Sequence, residues 1–184
     1  IIIVILVIAG LGAGYYFYKE YKKQVVKVKD VTIELGSKPS EDISSYASGA
    51  TDGYTLSLPD NLVNEEGNTY MVGEYSYKIK KGDSTKRGKI FVKDTTAPTV
   101  TVKEITVGVN EEFEPYEFLD SCDDLSLPCK TSYKKDSYAK LNEKAGKYNL
   151  EIVVEDKYGN KVSKDVVLNV SETESLLSLK QNDD

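Results

Sequence analysis

An internal repeat is the feature of this sequence that most constrains its fold. The segment VKVKDVTIEL at residues 26–35 aligns with VTVKEITVGV at 100–109, and VGEYSYKI at 72–79 aligns with AGKYNLEI at 145–152. A period of about 74 residues is small for a domain but within the range that folds independently. The chain is therefore expected to contain two copies of one small module.

The alternation of apolar and polar residues indicates the secondary structure of these copies. Tyr75, Tyr77 and Ile79 alternate with Ser76 and Lys78. This pattern is typical of a strand with one buried face. Turn-forming clusters such as KKGDST and DKYGNK separate runs of this kind. We predict an all-β fold in which each module is a β-sandwich.

The repeat and the shifts in composition divide the chain into five parts. These are a transmembrane helix, a basic juxtamembrane linker, a first module, a second module and a polar tail, at residues 1–18, 19–25, 26–94, 95–171 and 172–184. We interpret the tail as a frayed end or as a docking segment for a partner.

The part at residues 1–18 has no charged side chain. As a helix it would span about 27 Å, close to the ~30 Å hydrocarbon thickness of a bilayer. We predict a membrane-spanning helix, and a cleaved signal peptide remains the alternative. Gly10 and Gly14 would lie on one face of this helix. They would allow a homo-oligomer through close helix packing, or would simply pack on lipid or on another protein.

Three segments of the second copy carry a resemblance to a known family. They are DTTAPTVTV at 94–102, GKYNLEIVVEDKYGNKV at 146–162 and VVLNV at 166–170. They resemble the bacterial immunoglobulin-like repeats that occur in tandem in surface proteins of Gram-positive bacteria. Residues 25–94 match less closely, because KKGDSTKRGK replaces the Gly-Asn turn. The resemblance implies two tandem Ig-like sandwiches that act as spacer, stalk or binding modules, and it carries over no catalytic residue.

Two local patterns agree with this resemblance. Gly159 and Asn160 supply residues that tolerate positive φ at a hairpin turn. A tyrosine follows two residues after Gly in both copies, as Tyr75 and Tyr148. We interpret both tyrosines as packing residues with bonded hydroxyls, the alternative being part of a binding platform.

The charge that follows the apolar run bears on membrane orientation. Residues 19–30 contain five lysines against one Glu and one Asp. By itself this excess would place the segment in the cytoplasm. The two cysteines and the family resemblance favour the opposite side. We give these more weight and predict a single-pass protein of the bacterial cell membrane with extracellular modules.

The loop between the cysteines is the candidate recognition site. Cys122 and Cys129 enclose DDLSLP, and a disulfide here would contribute roughly 2–3 kcal/mol by closing a short loop. Two reduced thiols are the alternative. The candidate partner-binding residues are Asp120, Asp123, Asp124, Leu125 and Leu127.

The acidic residues in and before this loop raise the question of a metal. Their density would suit Ca²⁺, which takes six to eight oxygen ligands, and the 94–98 junction is a weaker candidate. No EF-hand spacing is present. We interpret the carboxylates as solvated surface and predict no metal site.

The absence of histidine excludes much of catalysis. Without His there is no Ser-His or Cys-His nucleophile pair and no imidazole base. We predict no enzyme activity and no cofactor. A net charge of −6 argues against nucleic-acid binding.

The function predicted from these features is that of a membrane-anchored cell-surface protein. It would act in adhesion, as a spacer, or as a non-catalytic subunit of an envelope assembly, with a protein or cell-wall glycan as partner. Two alternatives remain. One is a filament subunit that packs through its apolar helix, although the pilin version lacks an acidic residue in the first five positions. The other is an accessory ectodomain of an enzyme or sensor complex.

Overall fold

A computed structural model describes residues 13–19 and 25–172 of the chain. Residues 13–19 form a helix whose side chains are exposed, Gly14 among them. Within these described ranges, no helix is long and apolar enough to cross a membrane. Most of the predicted span, including Gly10, lies outside the described residues. The same holds for 20–24 of the predicted linker and 173–184 of the predicted tail.

The chain divides into two compact units between Lys93 and Asp94. We call them module 1 and module 2. The strands of module 1 are β1 (Lys27–Val28), β2 (Val31–Glu34), β3 (Ala47–Ser48), β4 (Thr55–Ser57), β5 (Gly73–Lys81) and β6 (Ser84–Lys93). Those of module 2 are β7 (Thr99–Val102), β8 (Ile105–Gly108), β9 (Leu119–Asp123), β10 (Lys130–Tyr133), β11 (Gly146–Glu155) and β12 (Lys161–Ser171). Short 3-10 segments cover Ile43–Ser45, Pro115–Phe118 and Asp136–Glu143.

The strand order is the same in both modules. Module 1 has a four-stranded sheet β2-β6-β5-β4 and a small sheet β1-β3, and module 2 has β8-β12-β11-β10 and β7-β9. In each large sheet the long hairpin is antiparallel, while the outer strand β2 or β8 runs parallel to the last strand. The described part of the chain is thus mostly β, which confirms the all-β part of the predicted fold class.

The alternation read from the sequence defines the buried face of each sheet. Tyr77 and Ile79 of β5 are fully buried, while Ser76 and Lys78, which alternate with them, are exposed. The core of module 1 consists of Val26, Leu35, Tyr46, Ala47, Leu62, Tyr77, Ile79, Ile90 and Val92. The core of module 2 consists of Val100, Val107, Phe113, Phe118, Leu150, Ile152, Val154, Val166, Leu168 and Val170. Each core draws on both sheets of its module, so each module is a sandwich.

The tyrosine two residues after each strand-opening glycine bonds to the turn that precedes the strand. The hydroxyl of Tyr75 donates to the carbonyl of Met71 at 2.8 Å, and that of Tyr148 donates to Lys144 at 2.7 Å. Both bonds reach four residues back along the chain, and both tyrosine rings lie beside the preceding glycine. The bonded hydroxyls agree with the packing role assigned to these tyrosines.

Candidate functional site

The connection between β9 and β10 is a loop closed by a disulfide. Cys122 of β9 is bonded to Cys129, which directly precedes β10. The predicted disulfide is therefore present in the structure. We call residues 122–129 the disulfide loop.

Both leucines of the disulfide loop are exposed. Leu125 is 73% exposed and Leu127 is 56% exposed. Ser126 between them is buried, because its side chain points back into the module. The loop therefore presents two apolar side chains to solvent from an anchored backbone.

The predicted acidic residues do not all belong to this loop. Within the disulfide loop, Asp123 is exposed as the last residue of β9, and Asp124 is half-buried. Asp120 lies within β9, and its carboxylate accepts a hydrogen bond from the Thr101 hydroxyl at 3.3 Å. The structure thus groups Asp123 and Asp124 with Leu125 and Leu127 and places Asp120 on the small β7-β9 sheet.

Three carboxylates of module 2 converge, and one of them belongs to the disulfide loop. Oxygen atoms of Asp94, Asp124 and Asp156 lie within 4.8 Å of one another. The sequence had indicated Asp124 and the 94–98 junction separately. It did not indicate Asp156, because the segment DKYGN was interpreted only as a hairpin turn. The position of Asp156 three residues before Gly159 was the available signal, since an aspartate there can bond the turn backbone.

Asp156 is buried and fully engaged by the hairpin turn between β11 and β12. Its carboxylate accepts the backbone N–H groups of Tyr158 at 2.7 Å and Asn160 at 2.9 Å, and the Asn160 side-chain amide at 2.7 Å. Burial by itself raises the pKa of this carboxyl. The hydrogen bonds that it accepts, of which those from Asn160 have the largest effect, outweigh burial and lower the pKa. Asp156 is therefore ionised at neutral pH. Gly159, with φ of 92°, allows the turn to close around it.

Ser126 ties the disulfide loop to this turn and to the start of the module. Its hydroxyl donates to the carboxylate of Asp94, and its N–H donates to Asp124 at 2.6 Å. Its carbonyl accepts the N–H of Lys157 at 3.0 Å. The Asn160 amide also donates to the Asp94 carbonyl at 3.2 Å. Together with the disulfide, these bonds hold the loop at several points.

The three carboxylates offer the hard oxygen ligands that a divalent cation prefers. The hydrogen bonds just described already give them a structural role, because they join three segments that are distant in the sequence. The prediction of no metal site stays a prediction, as does that of no enzyme activity.

No protein-family model and no curated protein matches the sequence. Among solved structures, human mucin-like protocadherin EC1-2 matches with 14% identity and a TM-score of 0.32 over 82% of this chain and all of that one. Human protocadherin-24 EC1-2 matches with 13% identity and a TM-score of 0.36 over 77% of this chain and 94% of that one. Drosophila N-cadherin EC1-3 matches with 13% identity and a TM-score of 0.38 over 79% and 64%. These TM-scores are too low to support a fold assignment. The fold is therefore assigned from the strand pairing of this chain.

Proposed function

We propose that this chain is a non-catalytic cell-surface protein whose disulfide loop binds a protein partner. The observation that carries the proposal is the exposure of Leu125 and Leu127 on a loop that is held by a disulfide and by Ser126. In the full proposal, residues 1–18 anchor the chain in a bacterial membrane, and two Ig-like modules act outside the cell in adhesion or in an envelope assembly.

The disulfide supports the extracellular part of this proposal. Disulfides persist in oxidising compartments and are rare where cellular thiols keep cysteines reduced. Within residues 13–19 and 25–172, the structure has no free cysteine. A loop whose cysteines are both oxidised therefore fits a location outside the cytoplasm.

The anchoring of the loop supports its role in binding. A loop that is already ordered loses little conformational entropy when a partner binds, so more of the contact energy appears as affinity. Exposed aliphatic side chains contribute by burying apolar area against another protein. These two leucines therefore favour a protein over a cell-wall glycan.

Binding of the fluorescently labelled chain to intact cells of the source organism tests this proposal. We expect saturable binding that protease treatment of the cells abolishes and that digestion of their wall glycan leaves intact. The double variant Leu125→Ser and Leu127→Ser should reduce binding at least about tenfold, because two apolar side chains lose their burial. The matched control is Tyr70→Ser with Met71→Ser, which replaces two exposed apolar residues of module 1, 48% and 56% exposed.

The control should bind as the wild type does. Equal binding by the loop variant and the wild type would refute the loop as the binding site. Binding that survives protease but not glycan digestion would refute the protein partner.

A further inference from the structure

Two positive side chains face each other on the outer face of module 1. In the hairpin of β5 and β6, Lys78 lies directly opposite Arg87. Both side chains are exposed, whereas Tyr77 and Ile79 on either side of Lys78 are buried. Directly opposed residues of an antiparallel pair share one face, with their Cβ atoms about 5 Å apart. Like charges in this position destabilise the sheet because they repel each other.

The described part of the chain provides no counter-ion for this pair. The nearby carboxylate of Glu74 is paired with Lys89 at 2.8 Å. Within residues 13–19 and 25–172, the side chains of Lys78 and Arg87 make no ion pair and no hydrogen bond. Lys80 is exposed on the same face and also has no such partner there. The outer face of module 1 therefore carries positive charge that these residues do not compensate.

Module 2 has the same arrangement with the opposite sign. The repeat aligns Lys78 with Glu151, and Glu151 lies directly opposite Asp165. Here the chain supplies a counter-ion, because the Nζ of Lys134 donates to the Glu151 carboxylate at 3.0 Å. This hydrogen bond is the largest cause of the lowered pKa of Glu151. The like-charge pair of module 2 is thus compensated within the module.

A serine occupies the position in module 1 that Lys134 occupies in module 2. Lys134 directly follows β10, and its N–H donates to the carbonyl of Glu151. The residue of β4 that lies beside Lys78 is Ser57. Its hydroxyl can donate a hydrogen bond to an anion, but it carries no charge that could compensate the two cations. This one difference leaves the counter-ion of module 1 to be supplied from outside.

The outer face of module 1 also has space for an anion. A groove of about 190 Å³ is lined by Ser57, Leu58, Pro59, Asp60, Ser76 and Lys78. Ser57, Lys78 and Arg87 form a row across three neighbouring strands, with successive Cβ atoms about 5 Å apart. An anion that lies over Lys78 is therefore within reach of the long side chain of Arg87.

The chemistry of these side chains favours a phosphate group over a carboxylate. The guanidinium of Arg87 can form two parallel hydrogen bonds to either group, and the ammonium of Lys78 adds a second positive charge. A phosphate monoester carries about −1.5 to −2 charges at pH 7 and three acceptor oxygens. It can therefore compensate both cations and still accept a bond from Ser57. A carboxylate has a single charge and leaves one cation uncompensated.

We propose that the outer face of module 1 binds a phosphate group, with Lys78, Arg87 and the hydroxyl of Ser57 as its donors. The phosphate compensates the like-charge pair of module 1 as Lys134 compensates that of module 2. Asp60 lines the same groove without forming an ion pair with Lys78, and its charge opposes binding. This inference goes beyond the proposed function and does not depend on the disulfide loop.

Titration of the isotope-labelled full chain with inorganic phosphate tests the proposal. The chain is held in micelles of an uncharged detergent at constant ionic strength, and its amide chemical shifts are followed by NMR. The amide signals of Ser57, Lys78 and Arg87 should shift and saturate. Acetate should bind at least about fivefold more weakly, because its single charge compensates only one of the two cations.

Four variants test the named side chains. Lys78→Gln and Arg87→Gln should each weaken phosphate binding about tenfold, because each removes a charge-assisted hydrogen bond. Ser57→Glu places an internal counter-ion where module 2 has Lys134, so it should abolish phosphate binding with unchanged circular dichroism. Lys38→Gln is the matched control, because it removes an exposed lysine of module 1 outside the strands. The control should bind phosphate as the wild type does.

Two further probes separate the sources of such a phosphate group. Glycerol phosphate presents it on a soluble molecule, and vesicles that contain phosphatidic acid present it on a lipid. Binding of either probe that Arg87→Gln weakens about tenfold supports the site and identifies the source. If Ser57→Glu does not fold, the two Gln variants still decide the question.

Three results would overturn the inference. They are a wild-type chain whose signals at Ser57, Lys78 and Arg87 do not respond to phosphate, Gln variants at positions 78 and 87 that bind as the wild type does, and a Lys38→Gln variant that loses as much binding as they do. Leu125→Ser with Leu127→Ser should leave phosphate binding unchanged. A failure of the proposed function and a failure of this inference are therefore distinguishable.

Discussion

Two adjacent buried tyrosines of module 1 should respond to the same substitution in opposite directions. Tyr46 and Tyr77 are both fully buried, with ring centroids 5.0 Å apart. The hydroxyl of Tyr77 accepts the N–H of Lys29 at 3.2 Å and lies within donating distance of the carbonyls of Lys29, at 2.8 Å, and Tyr46. The hydroxyl of Tyr46 has no hydrogen-bond partner among the described residues.

The magnitudes follow from this difference. A buried polar group without a partner costs roughly 1–3 kcal/mol. Tyr46→Phe removes that group and leaves a gap of one oxygen atom, so it should raise the free energy of unfolding by about 1 kcal/mol. Tyr77→Phe removes a bonded hydroxyl and leaves the backbone groups of Lys29 and Tyr46 without their partner. It should therefore lower the free energy of unfolding by about 1–3 kcal/mol.

Urea unfolding of the full chain, followed by circular dichroism, measures both changes. Burial raises the pKa of Tyr46, and the neighbouring Tyr77 raises it further. Its hydroxyl therefore stays protonated at neutral pH. The control is Tyr75→Phe, which removes one exposed hydrogen bond to Met71 and should cost less than about 1 kcal/mol. A Tyr46→Phe variant that is clearly less stable than the wild type would show that the hydroxyl is bonded and would refute the reasoning.

Three further predictions concern packing, the disulfide and pH. Gly88→Ala should destabilise module 1 by about 1–3 kcal/mol in urea unfolding, since a Cβ there would overlap the ring and the hydroxyl of the buried Tyr77. Replacing Cys122 and Cys129 by Ser should lower the unfolding midpoint of module 2 by an amount equivalent to roughly 2–3 kcal/mol. On intact cells, a thiol reagent should label the wild-type pair only after reduction, and labelling without reduction would contradict an extracellular location. Asp156→Asn should cost about 1–3 kcal/mol at pH 7. Because the folded pKa of Asp156 is lowered, its stabilisation is present above the ordinary value of 3.8 and is lost as the pH falls through the folded value. Acid titration of stability should therefore show variant and wild type converging at low pH, and a constant difference would count against this role.

The strands of both modules could be predicted from the sequence because the patterns that form them are local. The alternation of Tyr77 and Ile79 with polar residues places one face in the core, whichever strand lies alongside. The turn at Gly159 depends on a backbone angle that glycine adopts without strain. The disulfide was predictable from the spacing of two cysteines around a short polar segment.

The candidate sites were less accessible because they depend on which segments become neighbours. Asp94, Asp124 and Asp156 are far apart in the sequence, and only the strand order brings them within 4.8 Å. The same applies to Tyr46, whose burial against Tyr77 depends on how β3 and β5 pack. No local pattern predicts that these residues come together.

The sequence by itself determined that the chain is mostly β, and it identified the two cysteines that close a loop. These properties follow from side-chain periodicity, turn chemistry and spacing, which act over a few residues. Only the tertiary structure decided which backbone groups of β11 bond to β10 and which bond to β12. The reason is that strand register sets the direction of every backbone hydrogen bond, and register is fixed by packing between segments that are distant along the chain.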